Sequence, residues 1–183
     1  MNLHPNRYAA LLALLLGAGC GKGDNPPKPP DLPAGKAAID KAIRKAVDKP
    51  IGKLTKMDLE KVKELRLGNT KITDLTPLKL VTKLERLHLQ DNQISDLTPL
   101  MHLLRLEFLE LDNNEIADLT PLKNLKQLKG LFLDNNHITE LKPLMGLKGL
   151  RKLGLSNNHN LTRDAVGRLE KALNKCKVYS NAK

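Results

Sequence analysis

The chain of 183 residues has no tryptophan, two phenylalanines and two tyrosines. Four aromatics are too few for a conventional globular core of this length, so aliphatic side chains must do the packing. Leucine, with 39 copies, has to be arranged regularly to supply it. Two cysteines, Cys20 and Cys176, exclude a disulfide scaffold, the more so because Cys20 lies in a segment unlike the rest. The longest apolar run is the nine residues from Tyr8 to Leu16. A spanning helix needs about 20, so a multispanning membrane protein is excluded as well. Catalytic equipment is equally sparse. The only serines are Ser95, Ser156 and Ser180, there is no glycine-rich phosphate loop, and His102, His137 and His159 show no metal-ligand spacing. Neither enzymatic activity nor a cofactor or metal is expected. The length predicts one domain with an added arm.

The arm is the N-terminus. In MNLHPNRYAALLALLLGAGC, Arg7 precedes the apolar stretch, and Gly17, Ala18 and Gly19 precede Cys20. That is the order of an export signal. Leu16 to Cys20 resembles a bacterial lipobox, which implies cleavage before Cys20 and lipid attachment to it, although Gly17 stands where leucine is commonest. An ordinary signal peptide cut near Ala18 or Gly19 is the other reading. Residues 21–33, GKGDNPPKPPDLP, hold five of the eleven prolines and almost nothing apolar. They cannot build a core and read as a tether, which in polyproline II form reaches roughly 40 Å. The lipobox resemblance places the protein outside the cytoplasm of a bacterium, anchored to the membrane through lipid on Cys20. In a Gram-negative cell, Gly21 after that cysteine implies the outer membrane.

A regular period organises the chain from about residue 59 to 161. Leu65, Leu87, Leu109, Leu131 and Leu153 fall 22 residues apart, as do Leu67, Leu89, Leu111, Leu133 and Leu155. Val62, Leu84, Leu106, Leu128 and Leu150 make a third column, Ile72, Ile94, Ile116 and Ile138 a fourth, and Leu75, Leu97, Leu119 and Leu141 a fifth. Pro77, Pro99, Pro121 and Pro143 recur too, each followed by leucine. A 22-residue unit cannot bury these side chains alone, whereas stacked neighbours make one continuous apolar prism.

The pattern LxLxxNxIxDLxPL resembles the leucine-rich repeats of the bacterial internalin type, from about residue 59 to 161. The resemblance implies an α/β solenoid: a right-handed coil with short parallel LxL strands on the concave face, 3₁₀ or irregular segments on the convex face, and helical caps at both ends. It divides the chain into residues 1–19 (signal), 20–33 (lipidated Cys and tether), 34–63 (N-terminal cap), 64–161 (about five repeats) and 162–183 (C-terminal cap helix and strand).

Two polar columns accompany the leucines. Asn92, Asn114, Asn136 and Asn158 fall where the chain turns inward after each strand, and their amides offer donors and an acceptor to stranded backbone groups. They are expected to be a structural ladder, with Thr70 replacing Asn in the first unit. Asp74, Asp96, Asp118 and Glu140 precede each Leu-x-Pro turn, and their repetition argues for turn capping or solvation and against catalytic acids. In the front cap, Ile39, Ile43, Ala46 and Val47 share a helical face that Pro50 ends, and Thr55 with Asp58 forms a capping box. In the rear cap, residues 163–175 are expected to be helical behind Thr162, with Val166, Leu169 and Leu173 inward. Cys176 is expected to be a small buried hydrophobe before a closing strand.

The net charge of +11 invites a nucleic-acid reading. Its distribution argues against one. Residues 64–158 carry 13 basic and 12 acidic side chains, and the excess lies in the caps, where residues 34–63 carry nine against four. Stacking aromatics are scarce, so no nucleic-acid partner is expected; an anionic membrane or wall polymer suits the basic caps better, unless the charge serves only solubility.

Alternation along each LxL puts the residues around the leucines on the concave face. Both phenylalanines, Phe108 and Phe132, fall there on adjacent rows. Glu110, Asp112 and Asp134 make the same area acidic, and Arg66, Arg86 and His88 make the first rows basic or titratable. Exposed aromatics on a rigid sheet are typical anchors of protein contacts, although the two rings could simply cover one another. The expected function is a lipid-anchored, non-enzymatic, monomeric module that binds a protein or peptide on this face. Two alternatives stand beside it: a structural envelope protein holding anionic polymers through its caps, and a cytosolic regulatory subunit if the signal is not functional.

Overall fold

The computed structural model describes residues 34–182, so the predicted signal, Cys20 and the tether lie outside the described residues. Two short helices open the described chain, α1 (Ala34–Ala46) and α2 (Lys56–Glu60). Five three-residue strands follow at 22-residue intervals: β1 (Glu64–Arg66), β2 (Arg86–His88), β3 (Phe108–Glu110), β4 (Gly130–Phe132) and β5 (Lys152–Gly154). Helix α3 (Arg163–Ala172) and strand β6 (Lys177–Tyr179) close the stack. All six strands pair in parallel in chain order, and Leu65, Leu87, Leu109 and Leu131 align one beside the next, followed by Leu153 and Val178.

Strands β1 to β4 are each followed by a 3₁₀ turn, at Thr76–Leu80, Thr98–Leu100, Thr120–Leu122 and Lys142–Leu144, with the repeated proline near its start. Proline presets φ there and removes a donor that the first turn leaves unpaired anyway. The acidic column caps these turns. Thr76, Thr98, Thr120 and Lys142 donate their backbone N–H to Asp74, Asp96, Asp118 and Glu140 at 2.7–2.8 Å. For Asp118 the bonds from Thr120 pull its carboxyl below the usual carboxylate range.

The interior between strands and turns is almost wholly leucine and isoleucine, all buried. It also contains a column the sequence reading overlooked, Leu59, Val81, Leu103, Leu125 and Leu147, with the same 22-residue spacing. The Asn ladder runs beside it. Asn114 accepts from Ile94 N–H at 3.0 Å and donates to the carbonyls of Leu89 and Leu111 at 3.0 Å each, so one amide ties two successive turns. Asn92, Asn136 and Asn158 repeat this arrangement. In the first unit, Thr70 Oγ1 donates to Leu67 O at 2.7 Å in place of the amide.

The caps differ from expectation in detail. Ile39 and Ile43 are buried, but Ala46 is exposed, because α1 stops there and Asp48 turns the chain at φ +52° well ahead of Pro50. The Thr55–Asp58 capping box is present. Thr162 accepts from Ala165 N–H at 3.2 Å to open α3, which ends three residues short of the predicted Lys175. Cys176 is half-buried rather than buried, and stands just ahead of β6, the outermost strand, which has a neighbour on one side only.

Candidate partner-binding face

The residues flanking each inward leucine form three columns across the sheet, in the order β1 to β5. Glu64, Arg86, Phe108, Gly130 and Lys152 make the first; Arg66, His88, Glu110, Phe132 and Gly154 the second; Gly68, Gln90, Asp112, Asp134 and Ser156 the third. Because the register is fixed by inward leucines, a one-residue slip would turn every member inward.

The aromatic centre is built around a missing side chain. A Cβ placed on Gly130 would lie 2.8 Å from Phe108 Cδ1 and 3.4 Å from Phe132 Cε2, so both rings lean over that glycine. Arg86 covers the other side of Phe108, its guanidinium carbon 5.5 Å from the ring centroid. Both rings are therefore half-buried, not the exposed anchors expected from sequence. Two more glycines play the same part: Gly68 lies beneath Gln90, and Gly154 beneath the Asp134 carboxylate.

The charges are paired within the face rather than divided into a basic and an acidic half. Arg66 Nε donates to Glu64 Oε1 at 2.7 Å, and that bond draws the Glu64 carboxyl below its ordinary value. His88 Nδ1 donates to Glu110 Oε2 at 2.7 Å, while its Nε2 lies 3.6 Å from Glu64. A continuous line thus runs from Arg66 through Glu64 and His88 to Glu110, across three strands. Arg66 is the free end of it, its side chain 80% exposed.

The two aspartates are partly occupied by backbone. Asp112 Oδ1 accepts from Asp134 N–H at 2.8 Å, and Asp134 Oδ1 from Ser156 N–H at 2.7 Å. Burial pushes the Asp112 carboxyl up, with Asp134 and Glu110 adding to the effect. So the face brings Arg86, Phe108 and Phe132 together around Gly130 and links Arg66, His88 and Glu110, while Asp112 and Asp134 serve the neighbouring strands.

The comparisons with known proteins agree with this geometry. Residues 82–124 match the family model for leucine-rich repeats in two copies. An internalin (InlF) of Listeria monocytogenes matches in structure with a TM-score of 0.73 and 28% identity, over 85% of this chain and 48% of its own. A leucine-rich-repeat protein of Leptospira interrogans gives 0.60 and 30%, over 69% of this chain and 34% of that one. The array is of the internalin leucine-rich-repeat type. The leucine-rich-repeat ectodomain of the receptor kinase SOBIR1 from Arabidopsis thaliana gives 0.50 and 28%, covering 58% of this chain and 61% of its own. No curated protein matches in sequence. The chain spans about half the length of InlF and about a third of the Leptospira protein. Leucine-rich-repeat domains generally bind protein partners.

One feature of these repeats escaped the sequence reading. Asn69, Asp91, Asn113, Asn135 and Asn157 have φ between 54° and 59°, the left-handed region, where each repeat turns from its strand. The signal was present as a column made only of Asn and Asp, the residues besides glycine that tolerate that conformation best. Several also bond to one another, such as Asn113 Nδ2 to Asp91 Oδ1 at 2.7 Å.

Proposed function

We propose that this chain is a non-enzymatic binding module, tethered to a bacterial envelope by lipid on Cys20, whose sheet face recognises a protein or peptide. The observation that supports the face is the aromatic seat over Gly130. Two half-buried rings, held from below by a glycine and from the side by Arg86, offer apolar area whose geometry is already fixed, so little side-chain entropy remains to be lost on association. Such central, pre-ordered aromatics are the usual energetic anchors of interfaces. Around them Arg66, His88 and Glu110 supply a rim that orients a partner and speeds encounter more than it adds affinity.

Cross-linking of partners in intact cells tests the face. Phe108→Ala with Phe132→Ala should abolish recovery of a partner captured by the wild type, and Gly130→Ala, which forces the Phe108 ring to move, should weaken it. Equal recovery with all three proteins would refute the assignment. Tethering is tested apart from it: metabolic labelling with palmitate should mark the wild type and not Cys20→Ser, and an unlabelled wild type in its own host would refute the anchor.

A further inference from the structure

The N-terminal cap carries a surface that the sheet face does not explain. Ile51 and Met57 are 69% and 73% exposed, the two most exposed large apolar side chains among the described residues. They belong to one eight-residue stretch, Pro50–Ile51–Gly52–Lys53–Leu54–Thr55–Lys56–Met57, in which only Leu54 is buried. Leu54 plugs the prism end and holds the stretch down. Arg44 Nη1 fixes it from α1 by donating to Gly52 O at 2.9 Å, and Lys49 fixes it from the other side through Asp58 at 2.8 Å. The rest faces outward. A Cβ on Gly52, at φ +81°, would meet nothing within 4 Å.

The same cap is rich in cations. Lys41, Lys45, Lys53 and Lys61 are exposed and make no ion pair among the described residues, and Lys56, 90% exposed, reaches Glu60 only at 3.9 Å. Met57 and Lys61 stand four residues apart on the helical turn, so they share a face. Of the cap's four carboxylates, Asp40 and Asp58 are held by Arg44 and Lys49, Glu60 lies near Lys56 and Asp48 is exposed, against nine basic side chains in residues 34–63, so the net charge stays positive.

We propose that this stretch docks the cap on an anionic lipid surface, Ile51 and Met57 entering the headgroup boundary and Lys53, Lys56 and Lys61 lying at the phosphates. The combination of solvent-facing aliphatic tips and unpaired lysines is what such an interface rewards: apolar atoms leave water while each cation meets a surface of opposite sign. A protein partner of ordinary composition would have to bury those same lysines. The docking does not require acylation, but α1 begins immediately after the proposed tether, so lipid on Cys20 would present this end of the stack to the bilayer and leave the sheet face free.

The absence of tryptophan makes the test local. In the full chain carrying Cys20→Ser, Met57→Trp introduces a single fluorophore, and the apolar run at residues 8–16 cannot imitate its response. With vesicles of phosphatidylglycerol and phosphatidylcholine in equal parts, Trp emission at 57 should shift to the blue, be quenched by brominated acyl chains, and return to the aqueous value at high salt. With phosphatidylcholine alone, and for Leu104→Trp away from the cap, it should stay aqueous. Lys53→Ala with Lys56→Ala should lower partitioning about 25-fold, at roughly fivefold for each cation near such a surface. The proposal is overturned by vesicle binding without change at position 57, by an equal shift with neutral lipid, or by a shift without vesicles that grows with protein concentration and so reports a second copy. None of these outcomes bears on partner capture by Phe108 and Phe132, so the two proposals fail separately.

Discussion

Single residues set this fold wherever a repeat has to change direction. The turn after each strand needs one residue at φ near 56°, and the chain supplies Asn or Asp every time. At Asn113 the side chain adds an exposed bond to Asp91, which contributes little beside the backbone requirement. Asn113→Gly should therefore leave stability within about 0.5 kcal/mol, whereas Asn113→Val should cost about 1–2 kcal/mol, because a branched Cβ collides with the backbone in that region. Urea midpoints at unchanged slope would measure both; a Val variant as stable as Gly would contradict the conformational cause. Asp112 shows the opposite kind of constraint. Its folded carboxyl titrates above the ordinary value, chiefly through burial, so the ionised form destabilises the fold above the unfolded pKa, and the penalty disappears as pH falls through the folded pKa. Asp112→Asn keeps an oxygen for the Asp134 N–H and removes the repulsion from Asp134 and Glu110. Its melting temperature should exceed wild type at pH 7, with the advantage vanishing in acid; a constant difference across that range would rule out ionisation as the source.

At the scale of elements, three-residue strands are stable only because they are paired, on both sides from β2 to β5, and floored by inward aliphatic side chains. Leu109 lies at the centre of β3 with no exposed surface, between Leu87 and Leu131. Leu109→Ala should cost about 2–5 kcal/mol through the cavity it leaves, while Leu104→Ala, at a site 52% exposed, should fall within about 0.5 kcal/mol. Thermal melts that fail to separate the two would contradict the burial pattern. These elements were legible because hydrophobicity and period report on the same thing: a leucine recurring every 22 residues has to face the prism, and an acid ahead of each Leu-x-Pro has to cap. Element ends were less legible. α1 stops at Ala46 because Asp48 adopts a left-handed turn, a backbone event that Ala46 and Val47 do not announce, and the stagger of side chains over Gly68, Gly130 and Gly154 depends on rotamers that no repeat pattern encodes. Alternation therefore gathered these residues on one face of the sheet, yet their packing differed. Rings foreseen as exposed lie half-buried over a glycine, and charges foreseen as opposed halves are paired.

For the molecule as a whole, identical turns make stability a matter of neighbours and ends. The repeats join in phase: deleting residues 76–97 connects Leu75 to Thr98, which occupies the place of Thr76 in the preceding unit, and the bonds now made by Asn92 to Leu67 O and Ile72 N–H fall to Asn114. β1 would then pair with β3 by the same register it now uses for β2. The last connection is different. Residues 155–176 run from β5 to β6 through α3, whose Val166 and Leu169, with Leu173 just beyond it, cover the open end of the prism. Removing residues 163–183 deletes a comparable length but uncovers apolar surface around Leu153 and Leu155 and leaves β5 an unpaired edge, a template for association. The internal deletion should therefore give a monomer that melts cooperatively below the wild-type temperature, and the cap deletion a chain that aggregates. Size-exclusion chromatography and circular-dichroism melts of the two would decide it: an aggregated internal deletion would mean that the turns are not interchangeable, and a monomeric, cooperative cap deletion that the prism does not need its end covered.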